Sequence, residues 1–277
     1  MRTRSRVLCR TASVPVLTLG LALSFAFLTP ASKLWSAAAQ VTSPVGSYGI
    51  LFNQWIDSNT KVVRGFITSL YFDGAGNVSG PYAFITVSDT VITGTLTGNY
   101  IGNPDGSNTL NLTRDVGGTF TALMTLTDGG TGMQLLMTGG GLLPQGQVIT
   151  GTGRIQSAQR SIPAGSYGYL LNQWPDANND PQGVSGVFNL DGAGNVNGSY
   201  TVVGSTGASG SVLRGGLIGT YSVSSDGTGS MILNLDLGVT ATFDIVVTEG
   251  GLGIQMLLVD FNGGGIGSVV TGTARLQ

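Results

Sequence analysis

The chain repeats itself at the scale of whole domains. Gly46-Ser47-Tyr48-Gly49-Ile50-Leu51-Phe52-Asn53-Gln54-Trp55 returns as Gly165-Ser166-Tyr167-Gly168-Tyr169-Leu170-Leu171-Asn172-Gln173-Trp174, identical at eight of ten positions. Asp73-Gly74-Ala75-Gly76-Asn77-Val78 returns as Asp191-Gly192-Ala193-Gly194-Asn195-Val196, and the stretch 148–156 returns as 269–277. The offsets are 119, 118 and 121 residues, so the two copies differ only by small loop changes. Whatever fold one copy takes, the other must take as well.

Before the repeats stands a leader. Arg2, Arg4, Arg6 and Arg10 precede an apolar run from Val14 to Leu28, and Ala37-Ala38-Ala39 follows. This is the order of a cleavable signal peptide, expected over residues 1–39, with export to the periplasm, the cell surface or the medium. The run is short for a membrane span, and none is expected in the remainder. Five of the twelve basic residues fall before residue 40 and all fourteen acidic ones after it, so residues 40–277 carry seven against fourteen, a net charge near −7. An acidic chain without a basic stripe argues against nucleic acid and anionic membrane surfaces as partners. Cys9 is the single cysteine and there is no histidine, so no disulfide can hold the exported domains. Burial must hold them, and copies of about 115 residues are long enough for that.

Short runs alternate with period two. Val78, Gly80, Tyr82 and Phe84 share one face of such a run, kept in the second copy as Val196, Gly198, Tyr200 and Val202. The other face changes freely, from Ser79, Pro81 and Ala83 to Asn197, Ser199 and Thr201. That pattern is a strand with one buried face. Copy one divides into about eight strands, near 46–56, 62–72, 77–87, 91–101, 107–114, 118–127, 132–138 and 147–156. Asp73-Gly74, Asp105-Gly106 and Asp128-Gly129, with their counterparts Asp191-Gly192, Asp226-Gly227 and Glu249-Gly250, supply tight hairpin turns between them. The expected fold is all-β: two tandem antiparallel up-and-down barrels, over 40–156 and 165–277, joined by a linker at 157–164. Two β-sandwiches are the alternative, and a single outer-membrane barrel is a further one. Against the last, Asn234, Asp236 and Asp244 read as facing outward, where lipid would lie.

The strand ends resemble those of the calycins, the superfamily of lipocalins and avidins. Gly46-Ser47-Tyr48 and Gly165-Ser166-Tyr167 are similar to the Gly-x-Trp that opens the first calycin strand, with tyrosine for tryptophan. Lipocalins place a base on the last strand, where it packs over that aromatic. Arg154 and Arg275 match it, so the resemblance implies barrel closure by Gly46 with Arg154 and by Gly165 with Arg275. Gly80-Pro81-Tyr82 and Gly198-Ser199-Tyr200 resemble the Gly-x-Tyr element of avidins. The likeness implies a barrel and not biotin binding, for which one tryptophan per copy is too few.

Without histidine or cysteine the chain has no conventional triad, thiolate or soft-metal site, and no catalytic residue, metal or cofactor is assigned. Acid–base work would fall to acids such as Asp57, Asp89, Asp176, Asp244 and Glu249; Asp57 and Asp176 recur just after each tryptophan and also read as loop residues that cap a turn. Asp73-Gly74-Ala75-Gly76-Asn77 and Asp176-Ala177-Asn178-Asn179-Asp180 hold oxygen ligands close together, as calcium loops do, and fit hairpin turns better. The ligand-binding candidates are the recurring aromatics Tyr48, Trp55 and Tyr82 with Tyr167, Trp174 and Tyr200. They line a site if the barrels are hollow and form plain core if they are filled. Two readings of the whole follow: an exported, non-enzymatic tandem barrel that takes a small apolar or extended ligand, or a structural surface module without one. A barrel enzyme of the isomerase kind stands third.

Overall fold

A strand with one apolar face must bury it, and a sheet of such strands that closes on itself buries every inner face while leaving no edge. The computed structural model describes residues 43–55, 65–85, 90–140, 148–175, 182–204, 211–262 and 268–277, and forms two such closed sheets. The first contains β1 (Val45–Trp55), β2 (Gly65–Asp73), β3 (Asn77–Ile85), β4 (Val91–Gly102), β5 (Asn108–Arg114), β6 (Thr119–Thr127), β7 (Gly132–Gly140) and β8 (Val148–Gln156). The second contains β9 (Gly165–Pro175), β10 (Gln182–Leu190), β11 (Asn195–Gly204), β12 (Ser211–Val223), β13 (Thr228–Leu235), β14 (Thr240–Thr248), β15 (Gly253–Phe261) and β16 (Ser268–Leu276). Sequential strands pair antiparallel all round. The ring closes where β1 meets β8 with Tyr48 opposite Ile155, and where β9 meets β16 with Tyr167 opposite Leu276. Those two ladders exclude sandwiches, and two rings of eight replace the single large barrel. Of the expected strand positions, 56, 62–64, 86, 87 and 147 lie outside the described residues, as do 1–42 with the expected leader.

The Asp-Gly turns close on themselves. Asp73 accepts the backbone N–H groups of Ala75 and Asn77 at 2.7 and 2.9 Å and the Asn77 amide at 2.6 Å. Asp191 takes the same bonds from Ala193 and Asn195. The Asn77 and Asn195 side chains, with the backbone donors behind them, hold both carboxyls below the usual aspartate range. The oxygens that suggested a calcium loop are therefore already occupied by donors of the turn itself.

Inside barrel one, Tyr48, Ile50, Phe52, Leu70, Phe72 and Leu112 belong to one buried cluster. The cluster inside barrel two extends beyond its own wall and takes in Leu51, Ile67, Ala83 and Ile85 of barrel one. These four alternate with interior residues and so face outward, yet none exceeds 7% exposure. Val246, Leu257 and Val269, outward on β14, β15 and β16, meet them. Side chains of barrel two lie directly against the β1 and β2 backbone: a methyl group on Gly49 would strike Val246 and Thr248, and one on Gly65 would strike Leu257 and Val269. Polar bonds frame the contact, with Gln156 Nε2 donating to the Val247 carbonyl at 2.9 Å and Gln255 Nε2 to the Thr152 carbonyl at 3.2 Å. Arg160, between the barrels in sequence, donates to Ser47 Oγ on one side and to the Ser225 carbonyl on the other. The barrels thus share a dry seam and belong to one compact unit.

The repeat supplies its own control for the strength of this seam. Leu257 is fully buried between the barrels, while its counterpart Leu136, in the same register on β7, is 42% exposed. Leu257→Ala is expected to cost about 2–5 kcal/mol in denaturant unfolding, and Leu136→Ala no more than about 0.5 kcal/mol.

Candidate functional site

Each barrel has one end tied by a turn between its sixth and seventh strands. At the tied end the β6–β7 connection is Asp128-Gly129-Gly130, and its counterpart is Glu249-Gly250-Gly251. Asp128 and Glu249 both take φ of 53°, a left-handed backbone that costs a non-glycine residue energy and must be held from outside. The hold comes from two directions. The Tyr48 hydroxyl donates to the Gly130 carbonyl, and the Tyr167 hydroxyl to the Gly251 carbonyl at 2.7 Å. Arg154 pairs with Asp128, and Arg275 with Glu249. The arginines therefore lie on the outer face of the closing strands, instead of packing over the first-strand aromatic as in lipocalins. Strand alternation requires this, because Gly49 and not Tyr48 stands opposite Arg154. Gly46, with φ of 96°, sits two residues before Tyr48, and Gly165 is paired with Leu190 at the start of β9.

At the other end the two barrels part company. In barrel one, Phe52, Phe66 and Phe84 stand opposite one another across β1, β2 and β3. Phe120 joins them, 5.9 Å from Phe66 between ring centroids, and Phe52 lies 5.2 Å from Phe66. The same row in barrel two reads Leu171, Val184 and Val202, and Ala241 stands for Phe120. Leu, Val, Val and Ala thus stand where barrel one has four phenylalanines. Arg114, inward at the end of β5 beside the Tyr82 hydroxyl, has become Leu235. What remains in barrel two is a cavity of about 360 Å³. Its walls are apolar, with Leu217, Leu233, Phe243 and Leu258 among them, and the turn residues Leu237 and Val239 flank its mouth. Tyr169, Tyr200, Gln173 and Gln182 are its polar groups.

Both tyrosines are fixed. The Tyr200 hydroxyl donates to Asp236 Oδ1 at 2.6 Å, and the Gly216 N–H donates to Asp236 Oδ2 at 2.8 Å. Desolvation, aided by that carboxylate, pushes the Tyr200 hydroxyl up to about 12, while the hydroxyl in turn holds the Asp236 carboxyl low. Asp236 thus lies just past β13 and bonds to an interior tyrosine, contrary to its reading as an outward-facing strand residue. Barrel one keeps the pair in looser form, Tyr82 to Asp115 at 3.5 Å. Tyr169 stacks on Phe188 at 3.9 Å, donates to the Ser199 carbonyl at 3.1 Å, and is kept protonated by burial.

Of the aromatics singled out by recurrence, Tyr200 lines the cavity and Tyr82 occupies its counterpart in the aromatic-filled barrel. Tyr48 and Tyr167 are at the tied ends. Trp55 and Trp174 stand in β1 and β9 opposite Val148 and Val269, and their side chains lie outside the described residues, as do Asp57, Asp89 and Asp176. Tyr169, Leu171, Val184, Val202 and Ala241 are the cavity residues that recurrence passed over. Their signal is the opposite one, positions where the copies disagree in size.

No family model matches the chain, and no curated protein matches it. Among solved structures, one described as "The Structure of Intact Ap-TbpB (N and C lobes)" is similar over 84% of this chain and 77% of that chain, at 8% identity and a TM-score of 0.29. Overlap that low carries neither a fold nor a function across.

The Tyr200–Asp236 pair has a titration signature. Asp236 is held below the ordinary carboxylate value of 3.8, so its bonds stabilise the fold above that pH and are lost as pH falls through the lowered value. Tyr200→Phe should raise the Asp236 carboxyl toward the ordinary range in an NMR titration and flatten this acid loss. At the alkaline end, Tyr167 and Tyr200 titrate near 10.0 unfolded and about 12 folded. Their contribution is complete below pH 10.0 and should disappear as pH rises through about 12, seen as a falling melting temperature.

Proposed function

We propose that the protein is an exported, non-enzymatic binding protein whose second barrel holds a small, neutral, mainly apolar molecule, while the first barrel serves as its scaffold. The observation that carries this reading is the difference at one level of the two copies, where barrel one packs Phe52, Phe66, Phe84 and Phe120 and barrel two has smaller side chains around an apolar cavity. Its volume of about 360 Å³ is at the lower end of the range for small-molecule sites, about 300–1,000 Å³. An apolar cavity gains little from water and each CH₂ brought into it contributes about 0.8 kcal/mol. With no charged side chain among the described residues that line it, the cavity favours a neutral ligand, whose one polar group would meet Gln173 or Gln182. Catalysis is disfavoured, because Tyr200 keeps its proton up to about 12 and Asp236 gives its own up below 3.8, so neither exchanges protons near neutrality. The leader at 1–39, with cleavage after Ala39, supports export.

The test uses barrel one as the template for closing barrel two. Val184→Phe with Val202→Phe restores the residues of Phe66 and Phe84. The purified protein should bind the neutral fluorophore N-phenyl-1-naphthylamine, and the double variant should lose that binding while keeping its circular dichroism. Undiminished binding by a folded double variant would remove the cavity as the site.

A further inference from the structure

The seam between the barrels does not run the full length of the contact; beside it lies a groove of about 530 Å³. Barrel two faces it with Ser222, Ser230 and Asp244, which stand opposite one another on β12, β13 and β14 and so share the outer side of that wall. Ala83, Thr93 and Thr95 line it from barrel one. The same row in barrel one reads Ile101, Thr109 and Leu123. There Ile101 is 59% and Leu123 41% exposed. Burial alone would arrange the two rows the other way, with the isoleucine and leucine covered by the neighbouring barrel and the carboxylate in water.

Asp244 is the anomaly of the row. It is half-buried, and among the described residues nothing donates a hydrogen bond or an ion pair to it. Burial is what raises its carboxyl above the ordinary value, with no neighbouring charge contributing. Among the described residues no lysine or arginine lines the groove. A carboxylate that is partly desolvated and unpaired weakens the fold until a cation reaches it.

We propose that the groove between the barrels binds an organic ammonium ion, with Asp244 as its counter-ion and the hydroxyls of Ser222, Ser230, Thr93 and Thr95 as its remaining hydrogen-bond acceptors. An ammonium group has three donors on one compact charge, which suits a single carboxylate flanked by neutral oxygens. A divalent metal ion would require more anionic oxygens than one aspartate supplies. An anionic ligand would be repelled. The site is a product of duplication, since neither barrel alone encloses it, and it is separate from the cavity inside barrel two.

The experiment is an NMR titration of the ¹⁵N-labelled protein with 1,4-diaminobutane, with 1,4-butanediol as the neutral twin. Saturable shifts at the amides of Ser222, Ser230 and Asp244 are expected from the diamine and none from the diol. Asp244→Asn should weaken the diamine at least about tenfold while its spectrum keeps the dispersion of a folded protein. Val184→Phe with Val202→Phe should leave diamine binding unchanged, which separates the groove from the cavity. Equal affinity in Asp244→Asn would overturn the proposal. So would shifts spread over the exposed aspartates without saturation, or no shift at the groove at all.

Discussion

Closure of the backbone ladder is the constraint on which everything else rests. Once β1 pairs with β8 and β9 with β16, the main-chain ladder leaves no free edge, and burial of the interior residues holds the closed ring. The tied end adds a second lock, since a tyrosine hydroxyl and an arginine converge on one left-handed turn in each copy. With shape secured by the ring and by that end, the opposite end is free to lose volume. Barrel two has Leu171, Val184, Val202 and Ala241 where barrel one has four phenylalanines, and its ring closes through β9 and β16 all the same.

The architecture was legible because strands and hairpins are local. Alternation at Val78, Tyr82 and Phe84 and the Asp-Gly turns are each set within a few residues, and the β-strand positions follow from them. The site was much less legible, for two physical reasons. Recurrence marks what a fold needs twice, so Tyr48 and Tyr167 stood out and proved to be structural ties. A cavity made in one copy only is written in the disagreements. In the ten-residue motif that opens each repeat the two differing pairs are Ile50 with Tyr169 and Phe52 with Leu171, and both second members line the cavity.

The second reason is contact between the copies. Alternation gives a strand an inside and an outside but not what the outside touches. Ala83 against Thr201 read as free variation on a solvent face, whereas Ala83 is 7% exposed at the neighbouring barrel. Asp244 shows the same limit from the polar side. Its outward direction was readable from strand parity, and the partial cover over it was not, because that cover comes from residues far away in the chain.

The seam also has a direction. Barrel one contributes the outer faces of β1 to β3 and barrel two those of β14 to β16, so unlike patches meet and each barrel keeps one patch unused. Such head-to-tail contacts can in principle propagate into filaments. Here the unused patch of barrel two has Ser185 and Thr201 where barrel one has Ile67 and Ala83, beside Leu170 and Val203, which are 54% and 49% exposed. An incoming third barrel would have to desolvate two hydroxyls in place of two alkyl groups, with nothing on its own Val246, Leu257 and Val269 to bond them. The same divergence between copies that sets the two interiors apart therefore also makes the unused patch a poorer match for a third barrel than barrel one's patch is for the second.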